Sequence, residues 1–337
     1  MHELRKDPII GRWIIISTER KKRPQDFVSK IPTVSQYEFR QDCPFCPGNE
    51  KMTPPEVLAY RDDGEKDGSG WRIRVVPNKF PALDPNGEPE KKGMGMYDII
   101  NGVGAHEVVI ETPIHNATFG CLPKEQVESF LWAVKERMVD LMTDKRMQYI
   151  IVFKNHGTVA GATLEHPHSQ IIALPIVPKT ISEELAGCRI HYELKERCIY
   201  CDILNQEIFD GRRIVINSNN FMVLTPFASR FPYEVWIVPK RHIPSFTDTS
   251  LEELDELSSV LKDTISRLEK TLDNPPYNYM LHTTPCHMKN LTYYHWHIEI
   301  IPKLANVAGF EWGTGYYINP VPSEDAAEHL KSLCTSI

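Results

Sequence analysis

No segment of this 337-residue chain approaches the roughly 18 uncharged apolar residues that a membrane-crossing helix needs, so no membrane span is expected. An apolar leader is lacking too. The chain opens Met1-His-Glu-Leu-Arg-Lys-Asp7, which predicts a cytoplasmic protein whose eight cysteines are thiols or metal ligands rather than disulfides. Basic charge is short: 38 Lys and Arg stand against 45 Asp and Glu, a net charge of −7, which argues against a nucleic-acid partner. A small anionic substrate needs only a locally positive pocket. Nor is this the composition of a disordered chain, because 41% hydrophobic, 25% charged and 9% aromatic residues describe a soluble globular protein. Its length suits two domains of about 150 residues each, or one large one.

What is present is a repeat. Two Cys-x-x-Cys pairs, Cys43-Pro-Phe-Cys46 and Cys198-Ile-Tyr-Cys201, are each followed by the same landmarks in the same order. A strand-like run comes first, His106 to His115 in one half and Tyr233 to His242 in the other. A helix-period segment follows: Val127, Phe130, Leu131, Val134 and Met138, then Leu254, Leu257, Leu261, Ile265 and Leu268. Ser250-x-x-Glu253 predicts a capping box for the second helix, and Pro123 suits the first turn of the earlier one. Each half then closes on a His-x-His strand, His166-Pro-His168 or His295-Trp-His297, lying 51 residues beyond His115 and 53 beyond His242 respectively. These matches predict an α+β protein of two duplicated halves, residues 1–180 and 181–337, with mostly antiparallel sheets and helices packed on them. Further strands are expected at Trp13–Ser17, Trp71–Val76, Gln148–Lys154, Phe221–Leu224 and Tyr277–Thr283. Pro178-Lys-Thr and the polar stretch from Glu183 to Lys195 read as a linker, and the segments 61–70 and 84–95 as exposed, mobile loops.

Each half offers two Cys and two His at matching places, the donor set of a tetrahedral zinc site. Cys43, Cys46, His115 and His166 form one expected site, and Cys198, Cys201, His242 and His295 the other. Four protein ligands leave no open position, so two structural zinc ions per chain are expected. Cys121, Cys188, Cys286 and Cys334 have no paired spacing and read as ordinary thiols.

The stretch from Asn155 to Gln170 has the makings of nucleophilic phosphate chemistry. Its Gly- and Thr-containing turn lets backbone N–H groups approach phosphate oxygens. On a strand, His166, His168 and Gln170 share one face. A metal holding His166 therefore fixes His168 one step along, where a neutral imidazole can attack phosphorus without a general base. Gln170 is an amide and can position phosphoryl oxygens but not move a proton. A sugar phosphate leaves without acid help, and water gains no catalyst, so transfer is favoured over hydrolysis. In the second half, His297 stands where His168 does, but Glu299 replaces the glutamine and no glycine turn precedes it.

Five pieces together resemble the galactose-1-phosphate uridylyltransferase family, the transferase branch of the histidine-triad superfamily: Arg20-Lys-Lys-Arg23-Pro24, Cys43-Pro-Phe-Cys46, Val76 to Leu83, Asn155 to Gln170, and His295-Trp-His297. The resemblance covers nearly the whole chain. It implies a covalent nucleotidyl group on His168, phosphoryl contacts from Gln170, and nucleotide contacts from Arg20, Arg23, Phe45, Asn78, Phe80, Asn155, Gly161 and Thr163. It further implies a nucleotide sugar and a hexose 1-phosphate as substrates, and a homodimer. The implied reaction is ping-pong: UDP-glucose leaves uridylyl-His168 and glucose 1-phosphate, and galactose 1-phosphate then takes the uridylyl group. Some members bind their second metal with a Glu and three His, for which Glu184, His282, His295 and His297 are this chain's counterparts. Near the C-terminus, where family transferases use a Gln to hold the hexose phosphate, this chain reads Gly309-Phe310-Glu311-Trp-Gly-Thr-Gly, and Phe310 and Glu311 become the expected contacts. That glycine-rich version is also similar to the ADP-glucose phosphorylase branch, which implies the alternative of ADP-glucose as donor and phosphate as acceptor.

Overall fold

In the computed structural model, residues 2–17, 23–27, 35–288 and 290–332 are described. The first half comprises β1 (His2–Lys6), β2 (Trp13–Ser17), β3 (Leu58–Arg61), β4 (Trp71–Pro77), β5 (Lys91–Met94), β6 (Tyr97–Ile100), β7 (Ala105–Ile110), α1 (Lys124–Leu141), β8 (Tyr149–His156) and β9 (His168–Leu174). There follow α2 (Lys179–Lys195), α3 (Ile199–Asp210), β10 (Ile214–Asn217), β11 (Phe221–Leu224), β12 (Val235–Pro239), α4 (Leu251–Leu272), β13 (Tyr277–His282), β14 (His297–Pro302), α5 (Gly309–Thr314), β15 (Tyr317–Asn319) and α6 (Ser323–Ser332).

The protein is α+β, and its halves share one sheet. Ten antiparallel strands run in the order β10-β11-β12-β14-β13-β8-β9-β7-β4-β3. Read outward from the central β8–β13 pair, each side repeats the same order, and α1 and α4 occupy the same place in each repeat. Even the register repeats: Val108 opposes Gln170 as Trp236 opposes Glu299. Edge pairing of β8 with β13 buries an open strand edge in each half, which is why two sheets become one.

Both repeated helices lie on one face. Their predicted apolar stripes are buried against Ile73, Val75, Val109, Ile150, Ile171 and Ala173 of the first half and Val223, Val235, Ile237, Leu281, Ile298 and Ile300 of the second. Ser250 and Glu253 form the reciprocal capping box, a device that contributes about 1 kcal/mol. Because strand side chains alternate, the other face receives His168 and Gln170 in one half and Leu224, Trp236 and Glu299 in the other. That second face is covered by α2 and α3, whose Cys188, Ile199, Tyr200 and Leu204 pack on Leu224 and Trp236.

Residues 179–195 are thus a helix rather than the linker their polarity suggests. Only Ile181, Glu184 and Cys188 are buried along it, a narrow stripe interrupted by a charge, so its hydrophobic period is hard to detect. The expected loop at 84–95 is exposed over most of its length but ends in the β5–β6 hairpin. A small separate sheet pairs β1 with β2 antiparallel and β15 with β2 in parallel, tying residues 317–319 to the N-terminal hairpin. No helix among the described residues is long and apolar enough to cross a membrane.

Candidate active site and metal clusters

β9 begins at His168, and the segment before it makes two sharp turns at Gly157 (φ 79°) and Gly161 (φ 95°), a region that favours glycine. Asn278 on β13 ties this turn down by donating to Asn155 Oδ1 at 2.7 Å and to Ala160 O at 2.8 Å. His168 is 8% exposed, and its Nδ1 donates to the His166 carbonyl at 2.8 Å. Nε2 therefore keeps its lone pair. Burial, and then nearby Lys154, push the His168 imidazole down to about 4, so it is neutral near pH 7. The Phe45 ring stands 5.3 Å away, centroid to centroid, and limits how the imidazole can tilt.

Beneath this strand, on the helix-covered face, lies a buried polar set. Lys154 Nζ donates to Glu111 Oε2 at 2.6 Å and to the His168 carbonyl at 3.3 Å, while Ser169 Oγ donates to Glu111 Oε1 at 2.6 Å. A buried pair of this kind is weak evidence for stability but fixes geometry, here that of His168 and the residue after it.

The first Cys/His set converges as expected. His115 Nδ1 lies 3.4 Å from Cys46 Sγ, and His166 Nδ1 lies 3.7 Å from Cys43 Sγ and 3.6 Å from Cys46 Sγ. His166 Nε2 donates to Thr112 O at 2.8 Å, which leaves Nδ1 as the free donor atom, the tautomer a metal needs. Burial lowers His166 to about 3, so it too is neutral. The same burial raises the Cys43 thiol to about 11, a shift that a dication would reverse.

The second set repeats this arrangement. His242 Nδ1 and His295 Nδ1 lie 3.6 and 3.8 Å from Cys201 Sγ, and His295 Nε2 is bound to Pro239 O at 2.7 Å. Within each set, all four ligand atoms fall within 4.8 Å of one another. Glu184, His282, His297 and Glu299 make a third such group. The set of one Glu and three His does not form, because His295 faces Cys201 and Glu299 takes the fourth place. In this third group Arg230 already donates to Glu299 Oε2 at 2.6 Å and neutralises that carboxylate, so no ion is assigned to it.

The expected substrate residues divide into two groups. Phe45 touches His168, Asn155 and Gly161 share the glycine turn with Thr163, and Asn78 lies beside His106, whose Nε2 is 2.7 Å from Gln170 Oε1. Phe80 follows Asn78 and is 83% exposed. Phe310 and Glu311 sit instead on α5, next to β15 of the small sheet, where Glu311 accepts from Ala308 N. Arg23 is exposed, and Arg20 and Cys334 fall outside the described residues. His106, Lys154 and Glu111 beside His168, and Glu299 in the third group, carry little signal in the sequence that would mark them as part of a site. The one available signal was for His106, which begins the repeated strand run two residues before Val108.

The second half repeats this geometry with different residues. Its counterpart of Phe45 is Tyr200, whose ring is tilted 34° to that of His297 with centroids 4.9 Å apart, and a cavity of about 670 Å³ opens there between Tyr200, Leu224, Trp236 and Glu299. Buried Glu234 and Glu299, bridged by Arg230, stand at the register positions that His106 and Gln170 hold in the first half, and no glycine occurs between residues 283 and 296. His297→Asn is therefore expected to leave covalent labelling of His168 measurable; loss of labelling in a folded His297→Asn protein would overturn this view.

One continuous antiparallel sheet of two matching halves, with a His-Pro-His strand behind a glycine turn in only one of them, defines an internally duplicated α+β protein. Comparison with known proteins supplies the family. Residues 1–178 match the family model for galactose-1-phosphate uridyl transferase, N-terminal domain, and residues 95–335 match a domain of unknown function, DUF4921. The chain is 38% identical over 335 residues to ADP-glucose phosphorylase of Arabidopsis thaliana, covering 98% of this chain and 93% of that one. It is 33% identical over 340 residues to galactose-1-phosphate uridylyltransferase of Thermotoga maritima, covering 98% of each. The crystal structure of the Arabidopsis thaliana ADP-glucose phosphorylase with bound ADP-glucose superposes with a TM-score of 0.83 at 35% identity, covering 99% of this chain and 100% of that one. The chain belongs to the galactose-1-phosphate uridylyltransferase family and is a transferase.

Proposed function

We propose that this enzyme transfers a nucleoside monophosphate from a nucleotide sugar to a phosphate-bearing acceptor through a covalent bond to His168. The observation that carries the reading is the hydrogen bond from His168 Nδ1 to the His166 carbonyl, which presents Nε2 with a free lone pair. In the first step Nε2 attacks the α-phosphorus, the bond to the sugar phosphate breaks, and the hexose 1-phosphate leaves with the electron pair. In the second, a phosphate oxygen of the acceptor attacks the same phosphorus and the bond to Nε2 breaks, restoring neutral His168. Gln170 holds the phosphoryl oxygens in both steps. Asn155, Gly161 and Thr163 of the glycine turn, with Phe45, Asn78, Phe80, Arg20 and Arg23, bind the nucleotide, and Phe310 and Glu311 the hexose phosphate. Zinc in the two Cys/His sets suits their donor atoms and would act structurally, since four protein ligands fill its coordination.

The particular reaction proposed is uridylyl exchange between UDP-glucose and galactose 1-phosphate, in keeping with the family model and the Thermotoga relative. A second reading, ADP-glucose with inorganic phosphate as acceptor, is favoured by the 38% identity to the Arabidopsis phosphorylase. Its products are glucose 1-phosphate and ADP. The homodimer belongs to the same proposal, with exposed Trp312 of α5 available to a second copy. Incubating the enzyme with each donor against each acceptor separates the readings: UDP-galactose formed from galactose 1-phosphate supports the first, and ADP formed from phosphate supports the second. Activity with neither acceptor, despite labelling of His168, would overturn both.

A further inference from the structure

Gln170 is useful only if its amide faces the right way, and an unrestrained glutamine presents oxygen and NH₂ with similar ease. His106 on β7 removes that freedom. The Ala82 N–H donates to His106 Nδ1 at 3.1 Å, so Nδ1 carries the lone pair and the ring proton sits on Nε2. Nε2 then donates to the atom 2.7 Å away, which is Gln170 Oε1. With its oxygen engaged, Gln170 has its NH₂ left to donate elsewhere. Asn78 takes part by exclusion. Its Oδ1 accepts from the Phe80 N–H at 2.9 Å, so its Nδ2, 3.1 Å from His106 Nε2, is a second donor and cannot bond to the ring in this tautomer.

We propose that His106 is a positioning residue for the transfer reaction: it locks the Gln170 amide with its NH₂ turned toward the phosphoryl oxygens of the nucleotide on His168. The inference rests on the proposed phosphoryl contact of Gln170 and adds what orients it. Strand register supports a designed pair rather than a chance contact. His106 opposes Ile172, so it reaches Gln170 by a diagonal step across β7 and β9 on the same face. Glu234 and Glu299 stand in that diagonal relation in the second half, and there Arg230 bridges the two carboxylates instead. An imidazole N–H matched to an amide oxygen thus occurs in the half that has the phosphate-binding turn, and a guanidinium between two carboxylates in the half without it. Both copies hold the second residue after the His-x-His pair through a partner at or just before the neighbouring strand.

A double-mutant cycle tests the coupling, read as the rate of His168 labelling by UDP-glucose or ADP-glucose, whichever the wild-type enzyme uses. Gln170→Ala is expected to slow labelling about 100-fold and His106→Ala about 10-fold, with KM little changed because the lost donor acts mainly on the transition state. The double variant should be no slower than Gln170→Ala alone, since His106 acts only through that amide. His106→Gln, whose own NH₂ can reach Gln170 Oε1, should recover most of the rate, which a merely structural role would not predict. Additive losses in the double variant, or a full-speed His106→Ala beside a slowed Gln170→Ala, would overturn the positioning role while leaving the function of Gln170 intact. A full-speed Gln170→Ala would overturn both together. If His106→Ala fails to fold, the His106→Gln variant decides alone, because unrecovered labelling in that folded protein also refutes the proposal.

Discussion

His168→Asn is expected to abolish the covalent adduct and lower turnover by at least about 10⁴-fold, the scale of loss when an enzyme's nucleophile is removed. Asparagine retains an N–H able to reach the His166 carbonyl, now accepting from His168 Nδ1 at 2.8 Å, so the strand entry is preserved. It supplies no nucleophilic nitrogen. Among the described residues neither neighbouring imidazole substitutes: His166 faces the cysteines, and His106 has Nε2 committed to Gln170. Intact-mass measurement after incubation with donor alone should show one added nucleoside monophosphate on the wild-type chain and none on the variant. The adduct should persist, because Gln170 cannot activate water. Two successive in-line displacements also predict retained configuration at the α-phosphorus. Rapid two-substrate turnover by an unlabelled wild-type chain, or inversion at phosphorus, would replace the covalent mechanism with direct transfer.

The features that were legible in the sequence were those with strong periodicity or doubled spacing. α1 and α4 revealed themselves through apolar residues every three or four positions, and β2 and β11 match their expected bounds, Trp13–Ser17 and Phe221–Leu224. Both Cys/His sets could be written down because duplication made each a check on the other. Three things were hidden, each for a physical reason. α2 buries Glu184 within its narrow inner stripe, so composition suggests a linker. Fusion of the halves at β8 and β13 depends on an edge, and strand edges carry no distinctive side-chain pattern. His106 meets Gln170 across 64 positions of chain, and only strand register brings a lone histidine to an amide oxygen.

The two Cys/His sets look alike, yet removing them should have unequal consequences. Metal analysis of zinc-replete wild-type protein is expected to give two zinc ions per chain, and Cys46→Ala or Cys201→Ala should each remove one. Cys46 is 1% exposed and faces imidazoles from two other segments, so its set ties the 40–50 loop, the turn after β7 and the entry to β9 together. That loop has no strand of its own: its other ties are Phe45 packed on Trp71, Val76, Val108 and Ile110, the Trp71 Nε1 hydrogen bond to Glu50 at 2.9 Å, and Asn49 Nδ2 donating to the carbonyls of Arg40, Gln41 and Cys43. Structural zinc in small domains contributes on the order of 10 kcal/mol; on a preformed sheet the share is smaller, and a fall in Tm of roughly 10 °C is expected for Cys46→Ala. Labelling should fall with it, because His166 is two residues from His168 and its carbonyl sets the His168 tautomer. Cys201→Ala removes the matching clip from the half without the glycine turn, where α2 and α3 already cover the sheet. It should lower Tm and zinc content while leaving the rate of His168 labelling within about threefold of wild type. Equal loss of labelling in both folded variants would mean that the second half shapes the reactive strand through the β8–β13 seam; wild-type protein without zinc would show that the thiols and imidazoles hold these segments unaided.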